Sequence, residues 1–280
     1  MKRLYDLPAP AKLNLFLHIT GRRPDGYHCI ESVFVPIDWM DLMSFEMRHD
    51  GHISRTDQSE LTTPLPAEDL SVRAARLIQT VSGTDKGVHI HLHKHIPTQA
   101  GLGGGSSNAA TTLIALNRLW GLGLTRAELI RLGLQLGADV PFFLGHGPAW
   151  VQGIGEKLSP IQVAPRRLWV IHPGQGLSTA EIFGSQSLKR DSIPATMRAF
   201  VDEPFGFGRN DLQPVAEALC PPVSQVCNWM SKQGLQPRMT GSGSAVFAVA
   251  SGVKARPAWP QPWLFKDCYS LEAHPLSMWV

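Results

Sequence analysis

The sequence predicts an α+β protein of two lobes, on three observations. A length of 280 residues suits one large domain or two small ones with a substantial core. Segments with the two-residue period of strands give way to segments with helical spacing, and that order runs twice along the chain. Between the two passes, near residues 155 to 165, the chain changes character, which assigns the lobes to residues 1–158 and 159–280. The composition agrees: 43% apolar and 18% charged residues suit a folded globule, and 26 glycines with 22 prolines fall short of low-complexity disorder.

From Lys12 to Ile19 the residues alternate, with Leu13, Leu15, Leu17 and Ile19 on one face and Lys12, Asn14, Phe16 and His18 on the other, so a half-buried strand is expected. Strand rise sets the Lys12 and Asn14 side chains on one side, about 7 Å apart. Gly21 to Gly26 reads as a turn, Val33 to Ile37 and Met43 to Met47 as two further strands, and His49 to Pro66 as loop with a strand around Ile53. Leu70 to Val81 has helical spacing behind the acidic Glu68 and Asp69. Val88 to Ile96 alternates again, setting His89, His91, His93 and His95 on one face. A single strand spaces such side chains too widely to converge on one ion, so a solvated face is expected and no metal ligands are assigned.

Ala109 to Trp120 is a helical stretch, and Thr125 with Glu128 forms a capping box for a second helix that Gly137 ends. Asp139 and Pro141 then stand where a short helix would be capped and begun. In the second half, Leu168 to Ile171 and Ala245 to Ala250 read as strands. Ala180 to Phe183, Val215 to Leu219 and Val223 to Gln233 read as helices, and residues 184 to 208 as surface loop or weak helix.

The charge balance is only +3, with a pI near 8.7, which favours anionic ligands without demanding a nucleic acid, and no basic stripe with interleaved aromatics supports one. The four cysteines lack C-x-x-C spacing and read as reduced thiols, Met1 to Ile19 has no signal-peptide core, and no apolar run is long enough for a membrane span. A cytoplasmic protein is the expectation.

One segment carries chemistry by itself. Gly101-Leu102-Gly103-Gly104-Gly105-Ser106-Ser107-Asn108 leads into a helix, and bare glycine backbone at a positive helix end suits phosphate. It matches neither G-x-x-x-x-G-K-[ST] nor G-x-G-x-x-G, and the chain has no G-x-S-x-G or H-E-x-x-H. Phosphoryl transfer needs a phosphate cradle, a cation and a group that orients or deprotonates the acceptor. Lys12 and Asp139 are candidates for the last two, with a solvated lysine and a plain helix cap as the alternatives.

Three separated segments together resemble the motifs of the GHMP kinases. They are Pro10-Ala11-Lys12-Leu13-Asn14-Leu15 with Gly26-Tyr27-His28, then Pro97 to Asn108, then Thr240-Gly241-Ser242-Gly243-Ser244, with Gly137-Ala138-Asp139-Val140-Pro141 in support. The long first motif looks like the branch that phosphorylates 4-diphosphocytidyl-2-C-methyl-D-erythritol at its 2-hydroxyl in the non-mevalonate isoprenoid pathway. A homoserine- or mevalonate-type kinase and a nucleotide-binding regulator without turnover are the alternatives.

The resemblance implies an N-terminal lobe with a left-handed βαβ unit, a C-terminal ferredoxin-like lobe and an active site between them. It implies ATP as phosphoryl donor, with Mg2+ but no protein ligand for it, and a small-molecule substrate as the partner. Asp139 would be the general base and Lys12 its charged neighbour, with Asn14 on the erythritol portion. Pro97, Thr98, Gln99, Ala100, Gly101, Leu102, Gly103, Gly104, Gly105, Ser106 and Ser107 would wrap the ATP phosphates. Gly241, Ser242 and Gly243 would approach the substrate's phosphates, with Thr179 on the diphosphate and Tyr27, His28 and Phe183 on the cytidine. Three positions depart from the family pattern: Asp69 stands where many relatives have asparagine, and Gln99 and Ala100 replace glycines.

Overall fold

A computed structural model describes residues 2–59, 65–254 and 257–280. In chain order the first part runs β1 (Arg3–Arg22), β2 (His28–Arg48), β3 (Ile53–Ser59), α1 (Leu70–Ser82), β4 (Gly87–Lys94), α2 (Gly104–Trp120), α3 (Arg126–Leu136), α4 (Val140–Leu144), β5 (Ala149–Gln152) and β6 (Lys157–Pro160). The second runs β7 (Arg167–His172), α5 (Thr179–Gly184), α6 (Met197–Asp202), α7 (Gln213–Leu219), α8 (Pro221–Lys232), β8 (Arg238–Met239), β9 (Val246–Val249) and β10 (Leu264–Tyr269).

The first sheet is ordered β3-β4-β2-β5-β6, with β1 on the other edge of β2. Only β3 and β4 are parallel, and α1 connects them, which makes a βαβ unit. The strand expected around Ile53 is thus its first strand, while residues 60 to 64 of the expected loop lie outside the described residues. The two strands expected at Val33 to Ile37 and Met43 to Met47 are one 21-residue strand, β2. Its beginning pairs with β5 and its end with β4, so a single strand spans the sheet.

β1 departs most from its pattern. It is 20 residues long and buried on both faces: Phe16 is fully enclosed, and even Lys12 and Asn14 are 3% and 1% exposed. Register shifts at Pro10/Ala11 and Asn14/Leu17 turn the strand as it runs. Leu13 and Leu15 therefore pack with Val170 and Phe247 of the second lobe, whereas Leu17 and Ile19 join the core beneath the helices. A bulge between them gives one run of alternating leucines two destinations, which strict alternation does not express.

The second sheet is antiparallel throughout, in the order β10-β7-β9-β8. Numbered within the lobe this is 4-1-3-2, the ferredoxin-like order, with α7 and α8 crossing between the first two strands. Between β9 and β10 the described residues include no helix, and Pro257, Pro260 and Pro262 account for that. The chain then returns to the first lobe. Leu271 N–H donates to Pro36, His274 N–H to His146, and the Arg126 guanidinium donates to the carbonyls of Ser277 and Val280.

The helices follow their local signals. Asp69 caps α1 through Ser71 and Val72, Gly83 closes it at φ 64°, and the Thr125–Glu128 capping box opens α3 as expected. Residues 184 to 208 are loop apart from α6. His89, His91 and His93 lie on the outer face of β4, where His89 and His91 hydrogen-bond Ser54 and Thr56 of β3, and His95 follows the strand and hydrogen-bonds the Met40 carbonyl.

Candidate functional site

β1 is an edge strand that pairs only with β2, and loops take the hydrogen bonds of its outer edge instead. Lys12 N–H donates to Leu102, Asn14 N–H to Thr240 Oγ1, and Leu17 N–H to Arg209. The middle of one strand thereby gathers the Pro97–Ser106 segment, the second glycine turn and the loop before α7 around a cleft of about 880 Å3.

Both glycine segments need their glycines where they meet. A Cβ on Gly101, at φ +73°, would stand 2.2 Å from the Thr240 carbonyl, and one on Gly241, at φ +55°, 2.8 Å from the Gly101 carbonyl. Ala245 N–H donates to Ala100, and Asn210 Nδ2 donates to Met239 and Gly241 at 2.8 Å each, which locks the second turn against the first. Gln99 is at φ 53°, a conformation in which glycine costs less than glutamine.

Gly103 precedes α2 at φ 69° without any side-chain cap, so the amino end of that 17-residue helix opens toward the cleft. Beside it, Ser107 Oγ and Asn108 Oδ1 are buried with no partner among the described residues. Space beside Gly105 is open, the nearest atom to a Cβ there being Leu70 Cδ1 at 3.6 Å. Bare N–H groups and a helix dipole at the cleft together fit a polyphosphate.

Lys12 Nζ stands 3.7 Å from Asp139 Oδ2 and 4.6 Å from the Phe34 ring centre, and it donates to Asn14 Oδ1. Asn14 Nδ2 donates in turn to Ser32 Oγ at 3.0 Å, which fixes the amide's orientation. Burial lowers the Lys12 pKa, and Asp139 works in the opposite direction. Asp139 occupies the N-cap position of α4 but makes no capping bond, so its carboxylate is spent on Lys12 and the cleft, not on the helix. Lys12 is equally far from the solvated lysine its type suggests.

Seventeen of the predicted site residues line this one cleft, from Lys12 and Asn14 through Pro97–Ser106 and Asp139 to Thr179, Phe183, Gly241 and Ser242. Thr179 Oγ1 and Ser242 Oγ meet at 2.8 Å across its rim. Tyr27, His28, Ser107 and Gly243 are not in the lining. His28 joins the site through Phe183, ring centres 5.2 Å apart, while Tyr27 is exposed and Ser107 lies buried behind the helix end.

Sequence reasoning missed Lys94. Its ammonium is buried, donates to Asp41 Oδ2 at 2.6 Å, and lies where a Cβ on Gly104 would approach to 3.1 Å. Burial lowers its pKa against the pull of Asp41. The signal was present: within β4, Lys94 continues the apolar face of Val88, Ile90 and Leu92. Arg190, which holds His28, had no such signal in its Ser- and Pro-rich surroundings.

Two lobes around a glycine-built anion cradle, with a buried lysine against a carboxylate, define a phosphoryl-transfer enzyme of one class. The chain matches the GHMP kinases N terminal domain over residues 69–147 and the GHMP kinases C terminal domain over 198–262. It belongs to the GHMP kinase family and is a phosphotransferase that uses ATP. Its similarity is more particular still: it is 56% identical to the 4-diphosphocytidyl-2-C-methyl-D-erythritol kinase of Polaromonas sp. strain JS666, covering 100% of this chain and 95% of the relative. It is 55% identical to the protein of that name from Acidovorax sp. strain JS42, covering 100% and 99%. A crystal structure of 4-(cytidine 5'-diphospho)-2C-methyl-D-erythritol kinase superposes at TM-score 0.76 with 33% identity, over 95% of this chain and 99% of that one. Homoserine kinase from Cytophaga hutchinsonii, at TM-score 0.71 and 15% identity over 98% and 96%, shares the fold.

Proposed function

We propose that the chain transfers the γ-phosphoryl group of ATP to the 2-hydroxyl of 4-diphosphocytidyl-2-C-methyl-D-erythritol, giving the 2-phosphate and ADP. The observation that carries this reading is the Lys12–Asp139 pair, set 3.7 Å apart in the cleft that holds the phosphate cradle. In it, the Asp139 carboxylate accepts the hydroxyl proton as the oxygen forms its bond to phosphorus and the bond to the ADP oxygen breaks. Lys12, 3.7 Å from the Asp139 carboxylate, holds it in the cleft and offsets charge on the moving phosphoryl group. Asn14, oriented by Ser32, hydrogen-bonds the erythritol portion.

Pro97 to Ser107 hold the ATP phosphates at the open end of α2, while Gly241 to Gly243 and Thr179 take the substrate diphosphate. Tyr27, His28 and Phe183 take the cytosine, by stacking and by hydrogen bonds to its edge. Mg2+ belongs to the reading: Asp139 and the Ser106 hydroxyl line the cleft as hard oxygen donors that would suit it, and it would neutralise phosphate charge. The lobe division after residue 158 is part of the same reading. So is a cytoplasmic location, supported by four unpaired cysteines. No helix among the described residues is long and apolar enough to cross a membrane.

The test is direct: purified chain, ATP, Mg2+ and the cytidine-diphosphate substrate are expected to give equal amounts of ADP and phosphorylated product. Absence of that product would overturn the reading.

A further inference from the structure

His28, at the start of β2, is buried, and its Nε2 accepts a hydrogen bond from Arg190 Nε at 2.9 Å. The same guanidinium donates to the carbonyls of Leu188 at 3.0 Å, Ser185 at 2.7 Å and Phe183 at 3.4 Å. One side chain from the segment after α5 therefore ties the imidazole of the first lobe to the backbone carrying Phe183. The two rings stand 5.2 Å apart at an angle of 35°.

A guanidinium has only donors and keeps its protons in a protein. An Arg190 N–H aimed at Nε2 requires a lone pair there, and the single proton of a neutral imidazole must then sit on Nδ1. The Arg190 hydrogen bond engages Nε2 and not Nδ1. The charged groups facing His28 are Arg190 and, from the end of β1, Arg22; burial first, and then these two cations, hold its pKa below the ordinary value and the ring neutral.

We propose that Arg190 is a positioning residue that fixes His28 as the Nδ1–H tautomer and thereby sets selectivity for cytosine over uracil. This rests on the reading that the cytidine end of the substrate lies at Tyr27, His28 and Phe183. Cytosine presents a lone pair at N3, which an Nδ1–H donor satisfies; O2 accepts in both bases, so the choice is made at N3. Uracil carries a proton on N3, so donor meets donor, and a buried donor facing a mismatched edge discriminates strongly. Without Arg190 the imidazole reverts to its preferred Nε2–H form, leaving Nδ1 an acceptor that suits uracil instead.

The experiment measures inhibition of the kinase by CDP and by UDP between pH 5.5 and 8, for the wild type and Arg190→Met. It adds long-range 1H–15N spectra of the wild type, with His28→Asn identifying the resonance. The wild type is expected to favour CDP at every pH and to show His28 protonated at Nδ1 alone at pH 7.5. In Arg190→Met the CDP-over-UDP preference is expected to fall about tenfold at pH 7.5 and to recover on acidification, because an imidazolium regains Nδ1–H. A merely structural role for Arg190 predicts no such recovery. If CDP does not compete in the wild type, the cytidine-site reading fails and the inference with it. If CDP competes but His28 is protonated at Nε2, or Arg190→Met keeps the full preference with a flat pH profile, the tautomer role alone is overturned. The spectra of the wild type decide the matter even if the variant does not fold.

Discussion

Asp139 and Lys12 show how much a residue's meaning depends on where its neighbours end up. An aspartate one position before a short helix is ordinarily a cap, and a lysine on a strand is ordinarily solvated; here the aspartate caps nothing and the lysine is 3% exposed. In the proposed mechanism Asp139→Asn removes the proton acceptor while preserving shape. We expect kcat to fall by about 100- to 10,000-fold, with ATP affinity by calorimetry within a few-fold of wild type. Lys12→Met leaves Asn14 Oδ1 without its donor and Asp139 without its cation. Its expected result is a loss in kcat of comparable order, with steady-state kinetics as the check.

At the scale of elements, the two glycine turns and the amino end of α2 act as one unit, because each turn's backbone fills the space the other's side chains would need. Gly101→Ala forces a Cβ to 2.2 Å from a carbonyl oxygen at a positive φ, so both turns must shift. We expect a destabilisation of about 2 kcal/mol or more in urea unfolding, and a rise in KM for ATP of at least tenfold. Gly121→Ala, at the far end of the same helix, also has positive φ but nothing within 4 Å, so it separates backbone strain from the collision. It is expected to cost about 1 kcal/mol and to leave the KM for ATP unchanged.

The whole molecule is held together by contacts that cross between lobes and by a tail that returns to the first. Asp211 accepts from Ile19 N–H, Ser192 Oγ and Arg209 Nε. Burial opposes its ionisation, yet these donors prevail and lower its pKa, so its contribution is present above the ordinary carboxylate range and lost only in strong acid. Two buried histidines titrate earlier. His172, at the end of β7, and His274, in the returning tail, are each lowered to about 4: His172 by burial, and His274 by burial and then Arg126. The Nδ1 of each accepts a backbone N–H, and Nε2 is buried without a partner among the described residues.

The unfolded chain takes up these two protons near pH 6.5 and the folded chain only near 4, so stability is complete above 6.5 and declines as pH falls through that window. Each histidine contributes a decline of about 3 kcal/mol. Unfolding midpoints measured from pH 7 to 4 are expected to fall steeply, and His172→Asn, which keeps an acceptor for Gly174 N–H, to flatten that slope. A slope unchanged in the variant would show that His172 is not its source.

The sequence by itself determined the type of the long, strongly patterned elements, the helix boundaries set by Asp69, Thr125 and Gly137, and the glycine-rich loop, because these depend on neighbours a few residues away; the short strands β5, β6, β8 and β10 carried no such local signal. It also pointed to Lys12 and Asp139, through motifs whose spacing reflects the chemistry of phosphate. Only the tertiary structure decided the rest. A bulge sends Leu15 and Leu17 into different cores, and strict alternation has no term for the extra residue. Lys94 becomes an anchor beneath Gly104 because Asp41, 53 residues away, is there to receive it. Arg190 meets His28 across 162 residues of chain, and a contact of that kind exists only once two lobes have packed, each presenting an edge that its own sequence leaves unsatisfied.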